Sequence, residues 1–173
     1  MTHDKRVDLD GSPIFLVGFM GAGKTTVGRE LARQLDYEFL DLDDLITDAA
    51  GMSVQEIFSQ RGENEFRKLE AQAINSCRNR IGFVIALGGG AYVSEANRAA
   101  LKSIGKTVWL NCPLEVCLAR IRGDRSRPLL KSDDEMRELL DRRQSAYSQA
   151  DYVIDAADAS PEEIAQLVIS FLR

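Results

Sequence analysis

The segment GFMGAGKTTVGRE, Gly18 to Glu30, follows directly on the apolar run Pro13–Val17 and carries four glycines and one lysine. Few folds are open to a chain that places flexible residues, then a charge, where a helix is about to begin. The segment fits the pattern G-x-x-x-x-G-K-[ST] from Gly18 through Gly23, Lys24 and Thr25. Glycines let the backbone turn until successive N–H groups face inward, and the helix that follows adds its positive N-terminal end. Together they make an anion nest. Lys24 can then reach the β- and γ-phosphates of a nucleotide, and the Thr25 hydroxyl can ligate a Mg²⁺ that bridges them. A glycine turn beside a solvated lysine would need none of the surrounding pattern. Here an apolar strand comes first, and Val27, Leu31 and Leu35 recur afterwards at helical spacing.

The rest of the chain repeats that alternation. Short apolar runs at Pro13–Val17, Glu38–Leu40, Phe83–Leu87, Thr107–Leu110 and Tyr152–Ile154 are each followed by polar or glycine-rich residues and then a helical pattern. This predicts an α/β fold, a parallel sheet with helices on both faces. Ile14-Phe-Leu-Val17 is apolar at every position, as a strand covered on both sides should be. Gly28 is expected to let the first helix pack closely on the sheet. Helix starts are marked by Pro113 before Leu114-Glu115 and by the capping boxes Ser132-Asp-Asp-Glu135 and Ser160-Pro-Glu-Glu163. Glu63 to Asn79 is amphipathic, with Phe66, Leu69, Ala73 and Cys77 on one face and Arg67 and Glu70 pointing elsewhere.

Composition narrows the class. The 173 residues, 45% hydrophobic and 28% charged, suit one domain, expected over residues 13–173 behind a disordered tail of residues 1–12. A net charge of −5 argues against a general nucleic-acid binder, which needs a broad basic face. The opening MTHDKRVDLDGS resembles neither a signal peptide nor a membrane anchor, and no run reaches membrane-spanning length. Cys77, Cys112 and Cys117 form no CxxC pair, so they read as reduced, buried thiols of a cytoplasmic protein.

Three further stretches carry candidate chemistry. Asp41-Leu-Asp43-Asp44 falls at the carboxyl edge of the second strand, where open α/β folds bind ligands, and strand alternation would point Asp41 and Asp43 the same way. Such a pair could hold the waters of Mg²⁺, and one member could take a proton from an attacking hydroxyl. Helix capping by Asp43 or Asp44 is the plainer use of the same residues. Gly88-Gly-Gly90 lets backbone approach a bound ligand closely, or serves as a flexible turn. From Arg120 to Arg127, four arginines stand against one aspartate, a local charge of +3. That run reads either as a flap closing on phosphates or as a solvated charge run.

Taken in order, GFMGAGKTTVGR at 18–29, DLD at 41–43, GENEFRKLE at 62–70, GGG at 88–90, RPLL at 127–130 and Arg143-Gln-Ser-Ala-Tyr147 resemble the shikimate kinases. These are small P-loop kinases with a nucleoside-monophosphate-kinase-like fold. The resemblance runs from about Ile14 to Leu172. It implies a three-layer P-loop fold with a five-stranded parallel sheet of order 2-3-1-4-5, a mobile lid at about 120–132, substrate-binding helices at about 43–79, and a monomer. It also implies transfer of the γ-phosphoryl of ATP, with Mg²⁺, to the 3-hydroxyl of shikimate, a step toward aromatic amino acids.

Carried over by position, Gly21, Ala22, Gly23, Lys24, Thr25 and Thr26 would bind ATP, with Arg120 beside the adenine and Arg127 against the transferred phosphate. Lys24, Asp43 and Arg127 would be catalytic. Asp43 would hold the ring hydroxyls and act as base, while Arg67, Arg143 and the backbone near Gly89 would hold the substrate carboxylate. Thr25, and Asp41 through water, would hold the metal.

The chain departs from the family pattern twice. Members often have Ser or Thr within the two residues before the glycine triplet, where Ala86 and Leu87 stand here, which implies a weaker or water-mediated metal contact. Some also have an arginine near adenine after the last strand, where Ala156-Ala-Asp-Ala159 has none. Other small-molecule P-loop kinases remain as alternatives. Gluconate also has a carboxylate, whereas a nucleoside monophosphate would call for more phosphate-binding arginines. A regulatory module that has lost catalysis would show decay of Lys24, Asp43 or Arg127, and all are present.

Overall fold

The computed structural model describes residues 10–123 and 131–173. Its strands β1 (Ile14–Val17), β2 (Glu38–Asp41), β3 (Phe83–Ala86), β4 (Lys106–Asn111) and β5 (Tyr152–Asp155) pair in parallel in the order β2-β3-β1-β4-β5. All of the expected strands are present. β2 runs one residue further, to Asp41, and β3 stops at Ala86 instead of Leu87. β1 lies at the centre, with Ile14 opposite Val84 on one side and Lys106 on the other, and its four residues are buried. The chain leaves β1 first toward β2 and later toward β4, so a crevice opens at the carboxyl ends of the central strands.

Eight α-helices surround the sheet in the described residues: α1 (Lys24–Leu35), α2 (Leu42–Ala50), α3 (Val54–Arg61), α4 (Glu63–Ser76), α5 (Glu95–Ile104), α6 (Leu114–Gly123), α7 (Asp133–Tyr147) and α8 (Pro161–Leu172). A short 3₁₀ turn spans Ala91–Val93. α1 packs with α8 on one face, while α4 and α5 pack together on the other. The α1 face is close. A Cβ on Gly28 would lie 2.4 Å from the Phe39 ring, so the helix can sit this near the sheet only with glycine there.

Helix ends follow local chemistry. The capping boxes at Ser132 and Ser160 form as expected, and a third, Ser53 with Glu56, starts α3. α4 ends at Ser76, short of the expected Asn79, with Cys77 as its buried C-cap. The three cysteines are buried and free of disulfides. Burial pushes the Cys117 thiol up to about 12, so it is inert at neutral pH. No helix among the described residues is long and apolar enough to cross a membrane.

Candidate active site

The loop between β1 and α1 takes the shape its glycines allow. Gly18, Gly21 and Gly23 have φ of 151°, 77° and 95°, values that other residues rarely adopt. Gly23 occupies the N-cap of α1 and has no side-chain oxygen to offer, and no acidic residue stands in the first turn. α3, α7 and α8 each satisfy their first amides with a serine. At α1 that side-chain cap is missing, which suits an incoming anion. Lys24 folds back over the loop, its Nζ donating to the carbonyls of Gly18 at 2.8 Å and Phe19 at 2.9 Å.

A cleft of about 530 Å³ opens in front of this loop, lined by Gly21, Gly23, Lys24, Thr25 and Thr26, by Asp41 and Asp43, by Ala86 through Gly89, and by Arg120. Ala22 does not line it. Its side chain is buried and its N–H donates to the Phe19 carbonyl at 3.1 Å, so Ala22 shapes the loop from behind instead of facing the anion.

Asp41 and Asp43 both face the cleft, although not by strand alternation. The strand ends at Asp41, and Asp43 already belongs to the first turn of α2. Asp41 is the N-cap, its Oδ1 accepting from the Asp43 N–H at 2.9 Å. The cap is therefore Asp41, not Asp43 or Asp44, and the helical turn delivers Asp43 to the site.

The glycine triplet is explained by space. None of Gly88, Gly89 and Gly90 is among the residues with positive φ, so their conformations do not demand glycine. Their neighbours do. A Cβ on Gly88 would lie 3.1 Å from Asp43 Oδ1, one on Gly89 would lie 2.9 Å from Arg143 Nη1, and one on Gly90 would lie 2.7 Å from Arg67 Nη2. Each glycine yields its side-chain volume to a different charged group. Asp43 from α2, Arg67 from α4 and Arg143 from α7 thus converge on one strip of backbone.

Glu70, which the helical pattern sets off the apolar face together with Arg67, is part of this site. It is 1% exposed, and both carboxylate oxygens accept from Arg67 Nη1, at 3.0 and 3.1 Å. Burial pushes its carboxyl above the usual range, with Asp43 adding to the rise and Arg67 and Arg143 opposing it. Glu63 holds the other side of the fork, accepting from Arg67 Nη2 at 3.4 Å. Two carboxylates on the same helix therefore aim the Arg67 guanidinium at Gly90. The signal was present in the sequence, since residues three and four apart on a helix are neighbours.

Arg120 donates from Nη1 to the Gly21 carbonyl at 3.2 Å and from Nη2 to the Ala156 carbonyl at 3.5 Å. It thereby joins the anion loop to the segment after β5, where the nucleobase is expected. The oxygen donors at the cleft suit Mg²⁺: the Thr25 hydroxyl and the Asp41 carboxylate, with only apolar side chains at Ala86 and Leu87. No cluster of three or more metal-ligating side chains exists among the described residues, so the protein alone offers no closed cage. Such a partial donor set fits a metal shared with nucleotide phosphates and water.

The profile of the family described as Shikimate kinase matches residues 20–173. The chain belongs to the shikimate kinase family. It is 46% identical over 175 aligned positions to a shikimate kinase of Geobacter sulfurreducens, covering 99% of this chain and 97% of the relative. The solved structure of shikimate kinase from Acinetobacter baumannii in complex with shikimate superposes with a TM-score of 0.87 at 39% identity, over 96% of this chain and 94% of that one. A gluconokinase from Sinorhizobium meliloti 1021 superposes at a TM-score of 0.65 with 16% identity, over 94% and 91% of the two chains, a likeness of fold alone.

Within this shikimate kinase family member, Lys24, Thr25, Thr26, Asp41, Asp43, Gly89 and Arg120 meet at one cleft, and Arg67 and Arg143 press on its glycine strip. Arg127 lies outside the described residues, as does most of the expected lid at 120–132. Of that stretch, Arg120 to Gly123 end α6 and Ser132 caps α7.

Proposed function

We propose that this chain transfers the γ-phosphoryl group of ATP to the 3-hydroxyl of shikimate, giving shikimate 3-phosphate and ADP. One observation carries the reading. Asp43, Arg143 and Arg67 stand against three successive glycines at the edge of a P-loop cleft, in a chain of the shikimate kinase family. Two planar guanidinium groups from separate helices form a fork for a carboxylate, and one carboxylate beside them is placed for a hydroxyl.

The amides of Gly21 and of Gly23 to Thr26, with the positive end of α1, bind the triphosphate, and Lys24 exchanges its loop carbonyls for phosphate oxygens. The Thr25 hydroxyl, and Asp41 through water, would hold magnesium, which would supply positive charge against that of the phosphates. Arg67 and Arg143 hold the acceptor carboxylate at the glycine strip, so the ring hydroxyls face Asp43. Asp43 accepts the hydrogen bond of the attacking hydroxyl, orients its lone pair, and takes its proton. A loose phosphoryl-transfer transition state needs little base strength, so orientation supplies most of what Asp43 does. Three buried free thiols support a reducing compartment, the cytoplasm.

The test is ADP release from Mg-ATP with shikimate, gluconate and nucleoside monophosphates measured in parallel. Release with shikimate alone is expected. Release with gluconate or a nucleoside monophosphate would overturn the acceptor assignment, and release with none would make the chain a binding module.

A further inference from the structure

Tyr147 and Gly89 lie 58 residues apart in the chain, yet the Tyr147 hydroxyl donates to the Gly89 carbonyl at 2.5 Å. Neither the anion loop nor the arginine fork accounts for this bond. Three successive glycines form backbone with unusually wide conformational freedom, and something must hold each peptide in place. The carbonyls of Gly88 and Gly90 accept from the N–H groups of Ala91 at 3.0 Å and Val93 at 3.2 Å, as the 3₁₀ turn begins. The middle carbonyl is held by Tyr147. Its ring is fully buried and packs on Trp109, with centroids 5.9 Å apart, so the hydroxyl stands on a fixed platform. Burial also pushes the phenol up, which keeps it a neutral donor at physiological pH.

Tyr147 lies one turn after Arg143 on α7, on the same face. The helix therefore brings a guanidinium and a phenol to one glycine. A Cβ on Gly89 would lie 2.9 Å from Arg143 Nη1, 3.6 Å from the Tyr147 oxygen and 3.7 Å from the Gly18 carbonyl. That Gly18 carbonyl is one of the two that Lys24 grips. Gly89 thus lies close to both the acceptor side and the anion loop.

We propose that Tyr147 is a positioning residue of the acceptor site: its hydroxyl fixes the Gly89 peptide, and so sets the backbone that meets the acceptor carboxylate beside Arg143. It acts through Gly89 without touching the acceptor. The inference rests on shikimate being that acceptor.

Tyr147→Phe tests it, because the ring and its packing on Trp109 stay while one hydroxyl goes. The KM for shikimate should rise roughly 2- to 12-fold, the worth of one neutral hydrogen bond. The KM for ATP should stay within about twofold, as should kcat, since the lost interaction concerns acceptor binding. Trp109 is the sole tryptophan, so its fluorescence during a shikimate titration gives an affinity independent of turnover. That affinity should fall by the same factor. A second series places Tyr147→Phe in a Gly89→Ala background, where the added Cβ already displaces the peptide. There the loss of the hydroxyl should cost less than in the wild type. An unchanged shikimate KM, a parallel rise in both KM values, or strictly additive effects of the two substitutions would each overturn the role. Wild type measured alongside separates the two failures. No shikimate-dependent ADP release from it removes the acceptor assignment and this proposal together, whereas normal release with an unaltered variant removes Tyr147 alone.

Discussion

The anion loop and the arginine fork face one cleft but are made in opposite ways. The loop is continuous from Gly18 to Thr26, and its chemistry is carried by backbone that only glycine can shape. The fork is assembled from Asp43 on α2, Arg67 and Glu70 on α4, the glycine strip after β3, and Arg143 on α7. In the loop, local sequence determines the site directly. In the fork, nothing is in place until the helices have packed. A site of the first kind resists change, while one of the second kind can be retuned residue by residue on the same scaffold.

The difference predicts separable effects. Asp43→Asn should lower turnover by about 10²–10⁴, with shikimate binding also weakened, because one carboxylate serves both orientation and proton acceptance. A near-normal rate would show that Asp43 is misplaced. Lys24→Ala should lower kcat by about 10²–10³, by analogy with the loss of one preorganised charge-stabilising donor. Shikimate affinity, read from Trp109 fluorescence, should remain that of the wild type. A large change in it would break the separation between loop and fork.

Gly90→Ala reverses the pattern. The new Cβ would press on Arg67, and because a hydrogen bond to a charged group is worth about 1.5–3 kcal/mol, shikimate KM should rise about tenfold or more while ATP KM holds. A variant with wild-type shikimate KM would mean that the glycine strip does not set the fork.

The smallest effect is expected at Glu70, and its sign is informative. Its folded pKa lies above the ordinary 4.5, so the stability it contributes is present below that value and lost as pH rises through the raised one. Ionised Glu70 therefore costs stability at neutral pH. Arg67 is partly exposed and keeps Glu63, so Glu70→Gln does not strand a buried charge. The variant should melt above wild type at pH 7, with a gap that opens above about pH 4.5 and then levels off. Its shikimate KM should rise a few-fold, on the order of one weakened hydrogen bond. A lower melting temperature at pH 7 would reverse the assignment.

Legibility in the sequence followed the same division. The loop, the strand positions and the caps at Ser132 and Ser160 could be read directly, because each depends on neighbours within a few residues. Asp43 lines the cleft by a helical turn and not by strand alternation, since the chain turns helical at Leu42. The helical pattern sets Glu70 off the apolar face, but its burial follows from α4 packing beside Asp43 and Arg143, which no local pattern reveals. The glycine triplet announced close approach, but not that each member faces a different charged side chain.

The fork itself is tested most directly by comparing shikimate with its methyl ester, as kcat/KM ratios, in wild type, Arg67→Ala and Arg143→Ala. The ester keeps the ring and hydroxyls but loses the anionic charge that the two guanidinium groups would hold. Wild type should prefer the acid, and each substitution should shrink that preference by roughly 10- to 150-fold, the worth of a charged hydrogen bond. The same preference in all three proteins would mean that Arg67 and Arg143 do not read the carboxylate.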